Sequence, residues 1–203
     1  MTLGRENFEA RYAESPDPWD FETSAYEHDK YERTLAALGD RRYGRAFDAG
    51  CSIGVFTAML AERCDELLAV DIAQAAVDAA RERLAAFDHV RVERRTLPVE
   101  WPDGRFDLVV CSELLYYWDR ATLEGALDVI AGSVALGGRL IAVHYRPESS
   151  VDPLTGDGVH ALLRERLALG HVESEVDDMF RIDVFEACGP TSGSSSSGGA
   201  RPR

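Results

Sequence analysis

The sequence predicts a three-layer α/β domain: a seven-stranded, mostly parallel sheet closed by a C-terminal antiparallel hairpin. Three observations predict it. Strand-like and helix-like patterns alternate from residue 45 to residue 170, the signature of a parallel sheet covered by helices. The last apolar stretch, "HVESEVDDMFRIDVFEA", switches to period two with a short gap, as a hairpin does. The first strand runs into a glycine turn, "AFDAGCSIGVF", before the next helix begins.

Each element has its own warrant. "RAFDAG" is a short buried strand, and "VFTAMLAERC" follows with helical spacing. "DELLAVDI" is the second strand and "AQAAVDAARERLAAF" an alanine-rich amphipathic helix. "HVRVERRT" is the third strand, followed by a loop broken by Pro98 and Pro102. "RFDLVVCSE" is the fourth strand. "RATLEGALDVIAGSVAL" is a helix ended by Gly137 and Gly138, and "RLIAVHY" is the fifth strand. A helix at "GDGVHALLRERLALG" precedes the hairpin, whose apolar positions are Val172 and Val176, then Phe180, Ile182 and Val184. Residues 1–45 form an aromatic, helical lid segment, 46–187 the main domain, and 188–203, ending in "GPTSGSSSSGGARPR", a disordered tail.

Composition narrows the function. The formal charge of −14 repels phosphate backbones, which argues against a nucleic-acid substrate and suits a cationic or amine-bearing small molecule, although solubility alone accounts for such a charge. Lys30 is the only lysine beside many arginines. The four cysteines are scattered without a C-x-x-C pair, and the five histidines show no i,i+4 pairing, so no disulfide frame or metal site is expected. No apolar run approaches the roughly 18 residues of a membrane span, and the N-terminus is polar, so a cytoplasmic location is expected. Oligomeric state is left open.

The glycine turn carries the functional signal. Glycine lets backbone approach a ligand closely, and the following helix aims its N-terminus at that ligand. A pyrophosphate turn wants G-x-G-x-x-G, whereas this chain has D-x-G-x-x-x-G: Asp48, Gly50 and Gly54, with Ser52 between. Asp71 ends the second strand in "LLAVDIA", where a carboxylate accepts both hydroxyls of a ribose.

"FDAGCSIGVFTAMLAERCDELLAVDIA" resembles the first cofactor motif of the class I S-adenosylmethionine-dependent methyltransferases, and the hairpin matches their antiparallel last strand. "DPWDFETSAYEHDKYERTLAAL", "FDLVVCSELLYYW" and "HYRPESSVDPLTGDGVHALL" are similar to the NodS-type enzymes, which N-methylate an amino sugar at the end of a chitooligosaccharide. The likeness implies a Rossmann-like methyltransferase fold and S-adenosylmethionine as cofactor, leaving as S-adenosylhomocysteine. It also implies that Asp48, Gly50 and Gly54, with Cys51 in the same turn, hold the methionine moiety, Asp71 the ribose, and Ile72 the adenine. The family's acid after the third strand is missing from "RRTLPVE", so the Thr96–Leu97 backbone serves instead. Ser112 and Glu113 face the methyl end. The glycine that the family places at Ser52 is absent.

In the N-terminal segment Trp19 and Tyr26 either close over the cofactor or pack in the core. Lys30 would pair with the cofactor carboxylate, and the aromatic faces would attract a sulfonium or ammonium. Tyr31 reads as core. On the acceptor side, Glu113 would position an ammonium or take its proton, and His144 would serve as a base or as a hydrogen-bonded structural group. Tyr116, Tyr117 and Trp118 would wall the pocket or pack in the core, with Tyr145, Arg146 and Asp157 as further acceptor contacts. Asp157 would otherwise cap its helix. Cys51 has no neighbour that would make it a nucleophile. N-methylation of an amino sugar or related amine is the leading reading. The alternatives are O-methylation with His144 as base, a nicotinamide-dependent dehydrogenase, and a cofactor-binding protein without turnover.

Overall fold

The computed structural model describes residues 1–147, 149 and 151–189. The expected tail, residues 190–203, lies outside the described residues. Helices α1 (Arg5–Glu14) and α2 (Ala25–Ala37) precede β1 (Tyr43–Ala49), α3 (Val55–Ala61), β2 (Cys64–Asp71), α4 (Gln74–Arg83) and β3 (Val90–Arg94). Then come β4 (Phe106–Ser112), a 3-10 turn (Leu115–Tyr117), α5 (Arg120–Ser133), β5 (Val134–Tyr145), α6 (Gly156–Arg166), β6 (Gly170–Val176) and β7 (Phe180–Glu186). The seven strands form one sheet in the order β3-β2-β1-β4-β5-β7-β6. The first five pair in parallel, and β7 lies antiparallel between β5 and β6. The chain winds outward from β1 in one direction and from β4 in the other. A crevice therefore opens at the carboxyl ends of β1 and β4, where ligands bind in such sheets.

Both sheet faces are buried, and strand alternation divides their side chains. Phe47, Val109, Cys111, Leu140 and Ala142 pack with α5 and α6. Ala46, Leu108, Val110, Ile141 and Val143 pack with α2 and α3. Burying the phenylalanine, leucine, isoleucine and valine side chains among them contributes about 1.5–3 kcal/mol each, which makes this alternation the main source of fold specificity. Ser24, Asp119 and Thr155 cap α2, α5 and α6 through side-chain acceptors; each cap is worth about 1 kcal/mol.

Three local expectations change. The fifth helix stops at Ser133, not at the Gly137–Gly138 pair, because buried Val134 turns extended and pairs with Phe106 on β4. Val172 and Val176 are about half exposed, at 51% and 49%, because β6 is the edge strand and only β7 is covered. Thr155, not Asp157, caps α6.

Gly156 is a close-approach position. A Cβ there would run into the carbonyl oxygen of Tyr145, which is backbone and cannot swing aside. Gly156→Ala is expected to destabilise the protein by about 1–3 kcal/mol, read as a lower urea midpoint with an unchanged m-value. An unchanged midpoint would show that α6 is not packed this closely on β5.

Candidate active site

The turn after β1 is tied to the end of β2. Gly50 and Cys51 both donate to the Val70 carbonyl at 2.9 Å. The Ser52 amide donates to one Asp71 oxygen at 3.0 Å, and the Ala73 amide to the other at 2.9 Å. Each carboxylate oxygen keeps a lone pair for another donor. Burial pushes the Asp71 carboxyl up to about 6. Asp48, also lifted to about 6 by burial, accepts from the Thr57 hydroxyl at 2.7 Å.

Ser52 adopts φ 50°, a left-handed conformation that favours glycine. Its hydroxyl lies 2.6 Å from the Tyr12 hydroxyl on α1. The side chain that replaces the family's glycine therefore fastens α1 to the turn, a contact glycine cannot make.

A cavity of about 980 Å³, including its open mouth, lies over this turn. Asp48, Gly50, Cys51, Asp71, Ile72, Leu97, Ser112, Glu113 and Trp19 line it. Gly50, at φ 85°, leaves room that a Cβ would take, since that atom would meet Leu114 at 3.3 Å. An acid with spare lone pairs, a glycine cradle and apolar Ile72 and Leu97 together fit the ribose, amino-acid and adenine parts of S-adenosylmethionine.

Four residues assigned to the cofactor stand elsewhere. Gly54 caps α3 and packs against Ala80 of α4. Thr96 spends its amide on Glu100 and its hydroxyl on Arg5. Tyr26 and Lys30 line a second, adjoining cavity of about 750 Å³, its open mouth included. Lys30 is 1% exposed and bound to Glu27 and Glu113, each at 2.8 Å, so it is not free for a cofactor carboxylate. Burial works to lower its pKa, but Glu113 and then Glu27 outweigh it and hold the ammonium charged.

Glu113 belongs to both cavities. It sits just past β4 at φ 52°, a strained conformation of the kind that collects at functional sites. One oxygen accepts from Lys30; the other accepts from the Tyr116 hydroxyl and from the Tyr145 amide at 3.2 Å. Tyr116, Tyr117, Tyr145, Trp19, Phe21 and Tyr26 wall the second cavity. The Tyr26 hydroxyl is buried without a protein partner there. Tyr117 also faces the first cavity, as do buried Trp118 and Tyr31.

Three acceptor-side assignments are corrected. His144 lines neither cavity: it is fully buried, its Nε2 accepts from the Leu115 amide, and its Nδ1 meets His160. Burial holds its pKa well below the usual histidine value, and neither nitrogen is free to act as a base. Arg146 and Asp157 pair with each other at 3.0 Å, outside both cavities.

The sequence reading missed Tyr12 and Phe8 of α1, Arg95 after β3, and Glu27. Glu27 had a signal: Ser24 and Glu27 have capping-box spacing, and a partner other than the helix end was open to it. No group of three or more potential metal ligands occurs among the described residues. No helix among them is long and apolar enough to cross a membrane.

A parallel sheet with an antiparallel last strand, its glycine turn tied to an acid at the end of β2, is the Rossmann-like fold of the class I S-adenosylmethionine-dependent methyltransferases. Within that class, the chain belongs to the Nodulation protein S (NodS) family, whose model matches residues 4–168. Nodulation protein S of Bradyrhizobium diazoefficiens is 36% identical over 134 residues, 65% of this chain and 64% of that protein. Its Rhizobium tropici counterpart is 29% identical over 62% of this chain and 53% of its own length. The chain thus spans between about half and two thirds of these curated relatives. A Pseudomonas syringae structure with a provisional methyltransferase assignment is 42% identical, with TM-score 0.70 over 80% of this chain and 99% of its own. N-methyltransferase NodS of Bradyrhizobium japonicum WM9, solved with S-adenosyl-L-homocysteine, shares the fold at TM-score 0.79 and 24% identity, over 90% of this chain and 97% of that one.

Proposed function

We propose that the protein transfers the methyl group of S-adenosylmethionine to the nitrogen of a small-molecule amine, an amino sugar or a related compound. One observation carries the amine reading: Glu113 stands between the two cavities, and its surroundings are built for a cation. When ionised, Glu27, Lys30 and Glu113 together carry one net negative charge, enough to match one ammonium. Tyrosine and tryptophan rings line the same cavity, the Tyr26 face already meeting the Lys30 ammonium at 5.0 Å, and such faces attract ammonium groups.

When bound, the cofactor supplies an electrophilic methyl group, so the protein's work is alignment. Asp71 would hold the ribose hydroxyls, the Gly50–Ser52 turn the amino-acid end, and Ile72 and Leu97 the adenine. Glu113 would accept from the acceptor's N–H, aim the nitrogen at the first cavity, and stand in reach of the proton that an alkylammonium must lose. Helix α1, fastened through Tyr12 and covering the first cavity with Phe8, would act as the lid together with Leu3 just before it and exclude water. The O-methylation reading loses its base with His144.

The test is a pair of probes of similar shape. In protein loaded with S-adenosylhomocysteine, tetramethylammonium is expected to bind the second cavity and tert-butanol to bind far more weakly, measured by ligand-observed NMR. Equal binding of the two would refute the amine reading.

A further inference from the structure

A chain of buried hydrogen bonds runs behind the second cavity and takes no part in the chemistry above. The Leu115 amide donates to His144 Nε2 at 3.1 Å. His144 Nδ1 lies 3.1 Å from His160 Nε2, and His160 Nδ1 lies 2.7 Å from an Asp183 oxygen. Asp183 is fully buried; it also meets His171 Nε2 at 2.8 Å and accepts from Arg181 at 3.0 Å. One proton arrangement satisfies the whole chain. Leu115 can only donate, so His144 Nε2 is bare and its proton sits on Nδ1. His160 must then accept at Nε2 and donate from Nδ1, and Asp183 accepts at the end.

The chain spans β5, α6 and β7 and ends on the turn that carries Tyr116. The His144 ring packs edge-on against the Tyr116 ring, centroids 5.2 Å apart at 68°, and Tyr116 is the residue whose hydroxyl holds Glu113. With the second cavity taken as the acceptor site, we propose that His144, His160 and Asp183 form a positioning relay that sets the 114–117 turn and, through Tyr116, the Glu113 carboxylate. The relay acts without touching substrate or cofactor. Its polarity is fixed from the far end: hydrogen bonds from His160, Ser174 and His171 outweigh burial and keep Asp183 ionised. Burial keeps His160 neutral against that same carboxylate. An ionised acceptor at one end and a backbone donor at the other leave a single tautomer for each ring between them.

The conservative and disruptive variants separate positioning from folding. His160→Leu keeps bulk and removes both hydrogen bonds; His160→Gln offers an acceptor toward His144 and a donor toward Asp183. NMR of the imidazole nitrogens in the full chain is expected to show His144 and His160 as neutral Nδ1–H tautomers. In His160→Leu, exchange of the Leu115 amide is expected to quicken about tenfold as its acceptor loosens, with S-adenosylhomocysteine affinity unchanged within about twofold. His160→Gln is expected to restore most of the protection. Turnover of an amine by His160→Leu is expected to fall about tenfold to a hundredfold in kcat at constant KM for the cofactor.

A proton on His144 Nε2 would overturn the relay. So would unaltered Leu115 exchange in a folded His160→Leu, or equal losses in cofactor affinity and kcat. The acceptor reading fails separately, on the tetramethylammonium comparison, whereas the relay is judged on the tautomers and the Leu115 amide.

Discussion

Asp71→Ala is expected to weaken S-adenosylhomocysteine binding by about a hundredfold or more, enough to remove a calorimetric signal at ordinary concentrations. Two losses add. The substitution removes the acceptor for the ribose hydroxyls, and hydrogen bonds to a charged group are worth about 1.5–3 kcal/mol. It also strands the Ser52 and Ala73 amides that Asp71 now accepts, which loosens the glycine turn itself. Asp71→Asn keeps the shape and one acceptor, so a smaller loss is expected. Unchanged affinity in Asp71→Ala would remove the ribose assignment.

The same carboxylate makes a pH prediction. Burial lifts Asp71 to about 6 from an unfolded value of 3.8. The folded protein therefore takes up a proton more readily than the unfolded chain. Asp71's contribution to stability is fully present below 3.8 and is lost as pH rises through about 6. Cofactor binding has the opposite dependence, because both ribose hydroxyls want the ionised form. Affinity is expected to fall as pH drops below about 6, with a proton released on binding there, seen as a buffer-dependent heat. A flat affinity from pH 5 to 8 would contradict it.

Glu113→Gln is expected to leave cofactor binding nearly intact while kcat for an amine falls by a factor of about a hundred or more. The amide keeps the size but loses the charge that faces an ammonium. Its NH₂ group replaces one of the two oxygens, so it must face either Lys30 or the Tyr116 hydroxyl and Tyr145 amide, all of them donors to Glu113. A buried charge left without its partner costs several kcal/mol, so Lys30 is expected to shift toward Glu27 and spoil the wall of the second cavity. Full activity in Glu113→Gln would take Glu113 out of the acceptor site.

Much of this architecture was legible because it is local. A strand, a glycine turn and an acid at the next strand's end lie within 24 residues, from Asp48 to Asp71, so spacing alone could report the first cavity. The position of Glu113 followed from the end of β4 in the same way. His144 was misjudged because being at a strand end does not say which face a side chain takes. It shares the α6 face with Ala142 and Leu140, two and four residues back along the strand, whereas the neighbouring Tyr145 lines the second cavity. Arg146 and Asp157 looked like ligand groups until the fold brought them together as an ion pair. Tyr12 and the role of Glu27 beyond its own helix were missed for the converse reason: Ser52, and the Glu113 that shares Lys30 with Glu27, are brought to them by how the N-terminal helices close on the sheet. No short-range pattern encodes that closure.

The central claim is that the methyl group goes to nitrogen. Its most direct test is methyl transfer from S-adenosylmethionine to a short glucosamine oligomer with a free amine, run beside the fully N-acetylated oligomer and located by mass spectrometry of the fragments. The two acceptors share their hydroxyls and differ at nitrogen. A methyl group found on the amine of the first and absent from the second is the expected result. Methylation of the acetylated oligomer, or of a hydroxyl in either, would contradict the account.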